Sequence, residues 1–203
     1  VLVTTAPPVA VNDTVQTPPN SVAAGLPAVN VQIPVLANDT DADGPITVSS
    51  VDLIPGGNPD PVNQSILTGA GQWTASPTTG VVTFVPANDA TANTTRPYTI
   101  RDQTGTISNE GRIRVLIGPI ARNNSASTAA GAAVTVNVLA NDTDADGINN
   151  TTVDLDPTIP GRQTTRTTAA GTFTVLSGGG LTGRIQFVPS AGYTGTASVP
   201  YTV

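Results

Sequence analysis

The heptapeptide NDTDADG stands at Asn38–Gly44 and, unchanged, at Asn141–Gly147. Aspartates take alternate positions, Asp39, Asp41 and Asp43 in one copy and Asp142, Asp144 and Asp146 in the other, and each copy closes on glycine. Carboxylates at this spacing can converge on one hard cation, and glycine lets the chain turn sharply around it. An identical heptapeptide about a hundred residues further on also marks an internal repeat. Its surroundings keep step: Phe84-Val85-Pro86 is answered by Phe187-Val188-Pro189, and Pro97-Tyr98 by Pro200-Tyr201. Upstream, Pro8-Val9-Ala10-Val11-Asn12-Asp13 pairs with Pro119-Ile120-Ala121-Arg122-Asn123-Asn124, with an insertion in the first repeat at Gln16–Pro27. The chain therefore divides into residues 1–7, which read as the tail of a preceding repeat, a first repeat at 8–118 and a second at 119–203.

The composition selects strands. Seven aromatics serve both repeats, so valine, isoleucine, threonine and alanine must carry the packing. Twenty glycines and eighteen prolines interrupt the chain too often for long helices. Runs rich in β-formers between turn signals place strands at 9–16, 28–36, 45–53, 71–76, 80–86, 96–102 and 110–117 in the first repeat. The second offers 120–127, 133–139, 150–155, 171–176, 183–188 and 197–203, ending before a counterpart of the seventh strand. Seven short strands in about a hundred residues predict an immunoglobulin-like sandwich. The fold expected is all-β: two tandem sandwiches, the second short of its last strand. Its open edge calls for chain beyond this stretch or for a strand from a neighbouring subunit.

The absences narrow function. There is no Cys or His, and all eight basic residues are arginines. Disulfides are impossible, and the usual nucleophile–base pairs of catalysis are missing. The net charge of −6 includes no basic patch, so nucleic acid is not an expected partner. No apolar run approaches membrane-spanning length. Catalysis by paired carboxylates is disfavoured, because the acids sit in turns that repeat, as structural ligands do.

PVAVNDT followed by VLANDTDADG resembles the cadherin-like tandem repeats of large bacterial surface adhesins. Thr152–Gly161 (TVDLDPTIPG), Gly171–Val175 (GTFTV) and Phe187–Val203 are similar to the fibril-type repeats of bacterial cell-wall surface proteins. The resemblance implies extracellular immunoglobulin-like repeats on a bacterial surface, with calcium at the joints. The first repeat departs from it at Pro86–Thr99, which lacks an equivalent of Tyr193.

NDTDADG matches the opening of a calcium loop, but the glutamate due at the twelfth position is Ser50 in one copy and Val153 in the other. It is not an EF-hand, and further ligands must come from elsewhere. In a sandwich of this strand order the start of the first strand, the loop after the second and the loop after the sixth share one pole. That gathers Asn12, Asp13, Asp39, Asp41, Asp43 and Asp102 in the first repeat, and Asn123, Asn124, Asp142, Asp144 and Asp146 in the second. Asp60 and Asp89 are expected at the opposite end of the first repeat, facing the second repeat's site. At extracellular-module affinities of about 10⁻⁴–10⁻³ M, millimolar Ca²⁺ would add ~0.4–1.4 kcal/mol per site and chiefly stiffen the joint. The bland alternative is that Asn/Asp-rich turns bond their own backbone.

The aromatics Trp73/Phe173, Phe84/Phe187 and Tyr98/Tyr201 recur in register and are expected in the core, with a sugar platform at Trp73 as the rival reading. Tyr193 is expected to make a tyrosine-corner hydrogen bond. The leading expectation is a non-catalytic stalk or spacer of a bacterial cell-surface adhesin or filament, rigidified by calcium. Its partners would be neighbouring repeats of the chain or subunits of the same filament. The alternatives are a glycan- or protein-binding adhesive module and a filament subunit joined by strand exchange.

Overall fold

Alternating runs of β-branched and aromatic residues, bounded by glycine and proline, become the strands. The computed structural model describes residues 5–56 and 64–203 and separates into two units, Val1–Gly118 and Pro119–Val203. Seven strands build the first unit: β1 (Asp13–Thr17), β2 (Val31–Ile33), β3 (Ser65–Thr68), β4 (Gly71–Ala75), β5 (Val82–Pro86), β6 (Thr94–Tyr98) and β7 (Gly111–Ile117). One sheet is antiparallel in the order β2-β5-β4-β3; the other runs β1-β7-β6. Here β7 pairs antiparallel with β6 and parallel with β1. Period-two alternation turns Ile113, Val115 and Ile117 of β7, and Trp73 and Ala75 of β4, inward. Trp73 and Phe84 meet with ring centroids 4.5 Å apart at the centre of this core.

Two details differ from the strand pattern expected. Residues 45–53 form no ladder; they hold a 3-10 turn at Val48–Ser50 and single bridges from Ile46 to Asp102 and from Asp52 to Thr99. The cause is local: the Ser50 hydroxyl takes the Arg101 amide at 2.8 Å and donates to the Thr47 carbonyl at 2.6 Å, displacing regular pairing. In addition, β3 forms a hairpin with β4. Asp60, upstream of that strand, is outside the described residues.

The second unit repeats one sheet: β8 (Val134–Val136), β9 (Thr165–Thr168), β10 (Gly171–Val175) and β11 (Ile185–Pro189), in the order β8-β11-β10-β9. Phe173 and Phe187 stand 4.5 Å apart where Trp73 and Phe84 do in the first unit. Gly171, like Gly71, has a positive φ, and a Cβ there would come within 2.2 Å of the Val188 carbonyl oxygen, so only glycine lets the strands approach. The strands expected at 120–127 and 197–203 are absent, and 150–155 contributes one bridge, Asp154 to Thr202. In the first unit β7 supplies every ladder pair of both β1 and β6. Among the described residues of the second unit, none lies between 121–126 and 196–201 as β7 lies between β1 and β6.

Candidate functional site: a carboxylate pair around a buried tyrosine

The first three residues of NDTDADG form a clasp. The Asn38 side-chain amide donates to the Asn12 carbonyl at 3.4 Å, and Thr40 exchanges backbone hydrogen bonds with Val9. Between them Asp39 Oδ1 accepts the Val11 amide at 2.7 Å. The second unit repeats this contact for contact. Asn141 donates to the Asn123 carbonyl at 3.1 Å, Thr143 bridges Ile120, and Asp142 Oδ1 accepts the Arg122 amide at 2.7 Å. The Asn-Asp-Thr half of each motif therefore fastens the start of its repeat to the second strand's exit. That is the backbone-bonding role the bland reading assigned it.

A tyrosine completes each clasp. Tyr98, fully buried, places its hydroxyl 2.8 Å from the Val11 carbonyl and 2.9 Å from Asp39 Oδ1. Tyr201 stands equivalently, 2.9 Å from the Arg122 carbonyl and 2.8 Å from Asp142 Oδ1. Position alone marked these tyrosines as core; their hydroxyls are part of the polar site. Its signal in the sequence was the fixed step from NDT to PY in both repeats.

The units differ at one position. Where the second has Asn124, whose side-chain amide donates to the Arg122 and Val138 carbonyls and to the Tyr201 oxygen, the first has Asp13. A carboxylate brings no donor. Around Tyr98 two carboxylates and a carbonyl therefore share a single phenolic proton. Asp13 Oδ2, Asp39 Oδ2 and, on the adjoining turn, Asp41 Oδ2 are buried without a hydrogen-bond partner. Burial first, then the Asp39 charge, push Asp13 up to about 6, against hydrogen bonds from Tyr98 and Asn38. Burial also raises Asp39, outweighing its bonds to Val11 and Tyr98. Desolvation first, and then the Asp39 and Asp13 carboxylates, raise the Tyr98 hydroxyl far above its ordinary value and keep it protonated.

The rest of the expected pole is partly assembled. Thr5 and Ala6 run along it: the Ala6 amide donates to Asp43 Oδ2 at 2.8 Å, and Thr5 Oγ1 lies 3.1 Å from Thr106 Oγ1 in the β6–β7 connection. Asp102 is committed elsewhere. Its Oδ1 accepts the Thr104 and Thr106 amides at 2.8 and 2.7 Å, and these bonds hold its carboxyl below the ordinary value although burial opposes them. Asn12 Oδ1 accepts the Arg112 amide at 2.9 Å. In the second unit Asp144 accepts the amide of Asp146 at 2.9 Å in a turn whose Gly147 has φ +91°, whereas Gly44 needs no such conformation. Among the described residues no three acidic side chains converge as a ready metal cluster. Asp13, Asp39 and Asp41 each keep a buried oxygen without a hydrogen-bond partner, and the second unit shows no orphaned acidic oxygen to match them among the described residues.

Other expected features resolve plainly. Trp73 is wholly buried, so it offers no face to a sugar. The Tyr193 hydroxyl donates to the Thr196 carbonyl at 2.7 Å, which closes its loop from the downstream side rather than upstream. Asp89, at φ +59°, accepts Ser21 Oγ at 2.5 Å and ties the Gln16–Pro27 insertion to the β5–β6 connection. Asp60, expected beside it, lies outside the described residues, as do residues 1–4 of the segment at 1–7.

No helix of the structure is long and apolar enough to cross a membrane. No curated protein matches the chain. The profile of the bacterial Ig domain family matches it twice, over residues 5–115 and 118–203. Two sandwich-type units fastened by the same Asn-Asp-Thr clasp and tyrosine thus meet a family description that spans nearly every residue, and the chain belongs to the bacterial Ig domain family.

Proposed function

We propose that this pair of immunoglobulin-like units is a non-catalytic spacer of a bacterial surface adhesin or surface filament, stiffened by calcium at its acidic poles. The observation that carries the calcium reading is the acceptor excess at the first unit's pole: Asp13 and Asp39 oxygens beside Tyr98 and an Asp41 oxygen on the adjoining turn, all buried without donors. A divalent cation supplies what that arrangement lacks, and oxygen-only ligands suit Ca²⁺. Asp43, whose Oδ2 accepts the Ala6 amide, and the backbone carbonyls of the same turn are proposed as the further ligands. In the second unit the half-buried Asp144 and the exposed Asp146 are the carboxylates on offer, with Asp142 and Asn124 already satisfied by Tyr201 and the backbone. The remaining ligands there are proposed to come from the preceding repeat. Membership in the family supports an extracellular, surface-attached setting, with neighbouring repeats as the main partners.

The test is solution scattering and thermal melting with Ca²⁺ and with chelator. A longer maximum dimension and a melting temperature raised by a few degrees, from the ~0.4–1.4 kcal/mol such a site provides, are expected with Ca²⁺. Identical curves would remove calcium from the account. Saturable binding to a glycan array by the isolated pair would replace the spacer with an adhesive module.

A further inference from the structure

One substitution separates two clasps that are otherwise built alike. The second unit's Asn124 directs its side-chain amide at three oxygens: the Arg122 carbonyl at 2.8 Å, the Val138 carbonyl at 3.0 Å and the Tyr201 hydroxyl at 3.1 Å. The matching oxygens of the first unit belong to Val11, Val35 and Tyr98, and the residue beside the tyrosine there is Asp13. An amide nitrogen carries two protons and an ionised carboxylate carries none, so the donor among these oxygens is lost. The effect reaches residues that the two units share. Asp39 is 9% exposed and keeps Oδ2 without a partner, as Asp13 and Asp41 do. Its counterpart Asp142, 8% exposed, has both oxygens within hydrogen-bond reach of the Tyr201 hydroxyl.

We propose that the residue at this position selects what closes the clasp: asparagine closes it with its own amide, and aspartate leaves the amide's place to Ca²⁺. The inference rests on the calcium reading of the first unit. It assigns the ion a location there, the space beside Tyr98 that the Asn124 amide fills beside Tyr201. Asn124, expected from the sequence among the ligands, instead stands in for the ion. Both an –NH₂ group and a cation present positive charge to converging oxygens. Affinity for Ca²⁺ rises with the number of charged ligands, so Asp13 removes the competing donor and adds the charge that attracts the ion. Chelation therefore loosens the first clasp and leaves the second closed.

The test follows hydrogen exchange at two backbone amides of the 203-residue chain. Val11 donates to Asp39 Oδ1 and Arg122 to Asp142 Oδ1, each at 2.7 Å. In chelator, Asp13→Asn should slow exchange at Val11 about tenfold, and Asn124→Asp and Asn124→Ala should each speed it at Arg122 about tenfold. Millimolar Ca²⁺ should slow Val11 in the parent but not in Asp13→Asn. At Arg122 it should restore protection in Asn124→Asp and not in Asn124→Ala, which loses the amide without gaining the charge. The two positions lie in separate units, so either arm decides the matter where a variant of the other fails to fold. The selector is overturned if Val11 responds to Ca²⁺ as strongly in Asp13→Asn as in the parent, or if Asn124→Asp responds no more than Asn124→Ala. A parent whose Val11 amide ignores Ca²⁺, with the chelator results as expected, would overturn the calcium reading and with it the ion's part in the clasp.

Discussion

Replacing Asp13 by asparagine should stabilise the first unit at neutral pH, by giving it the side chain the second unit already has at Asn124. The native carboxyl rises from its ordinary value of 3.8 to about 6, so the folded state holds its proton more tightly than the unfolded chain. Unfolding then releases a proton between these values, and native stability falls as pH rises from about 4 to about 6. Above pH 7 the loss is complete; below pH 4 it vanishes. Two pH units correspond to about 3 kcal/mol, which solvent screening at this half-buried side chain reduces to about 1–1.5 kcal/mol. Asp13→Asn removes that deficit and adds an amide donor where oxygens lack one.

Trp73 is the only tryptophan and sits in the first unit's core, so its fluorescence during melting reads that unit alone. In chelator at pH 7.5 the variant should melt about 3–8 °C higher than the parent, and the two should converge near pH 4. Added Ca²⁺ should raise the parent and leave the variant nearly unmoved. Equal melting temperatures across the pH range, or a less stable variant at pH 7.5, would refute the crowded-acceptor account.

Tyr98→Phe withdraws the one proton shared by Asp39 and the Val11 carbonyl and should cost about 2 kcal/mol, seen as a lower urea midpoint by Trp73 fluorescence. Tyr201→Phe should cost about 1 kcal/mol, since that hydroxyl is less enclosed; far-ultraviolet dichroism during urea unfolding measures it. Gly111→Val in the native position forces a side chain against the Tyr98 ring and should destabilise the first unit by about 2–3 kcal/mol, again by urea titration. Trp73→Phe leaves a void beside Phe84 and should cost about 1–3 kcal/mol; it removes the fluorescent reporter, so calorimetry is the assay.

Much of this molecule is local and was therefore legible without coordinates. The repeated NDTDADG, the FVP and PY landmarks and the paucity of aromatics dictate two all-β units of one plan, because a strand's period-two pattern and its bounding glycines and prolines are written in adjacent residues. What required tertiary structure was the division of labour inside the motif. Nothing in NDTDADG itself says that Asp39 spends one oxygen on the Val11 amide, or that Asp102 spends its own on Thr104 and Thr106. Those partners arrive from distant strands or from backbone turns that sequence spacing does not resolve. Likewise, the change from Asp13 to Asn124 looks conservative on paper. Only the convergence of two strands, a turn and the Tyr98 hydroxyl in one buried space makes it the difference between an acceptor-rich pocket and a satisfied one.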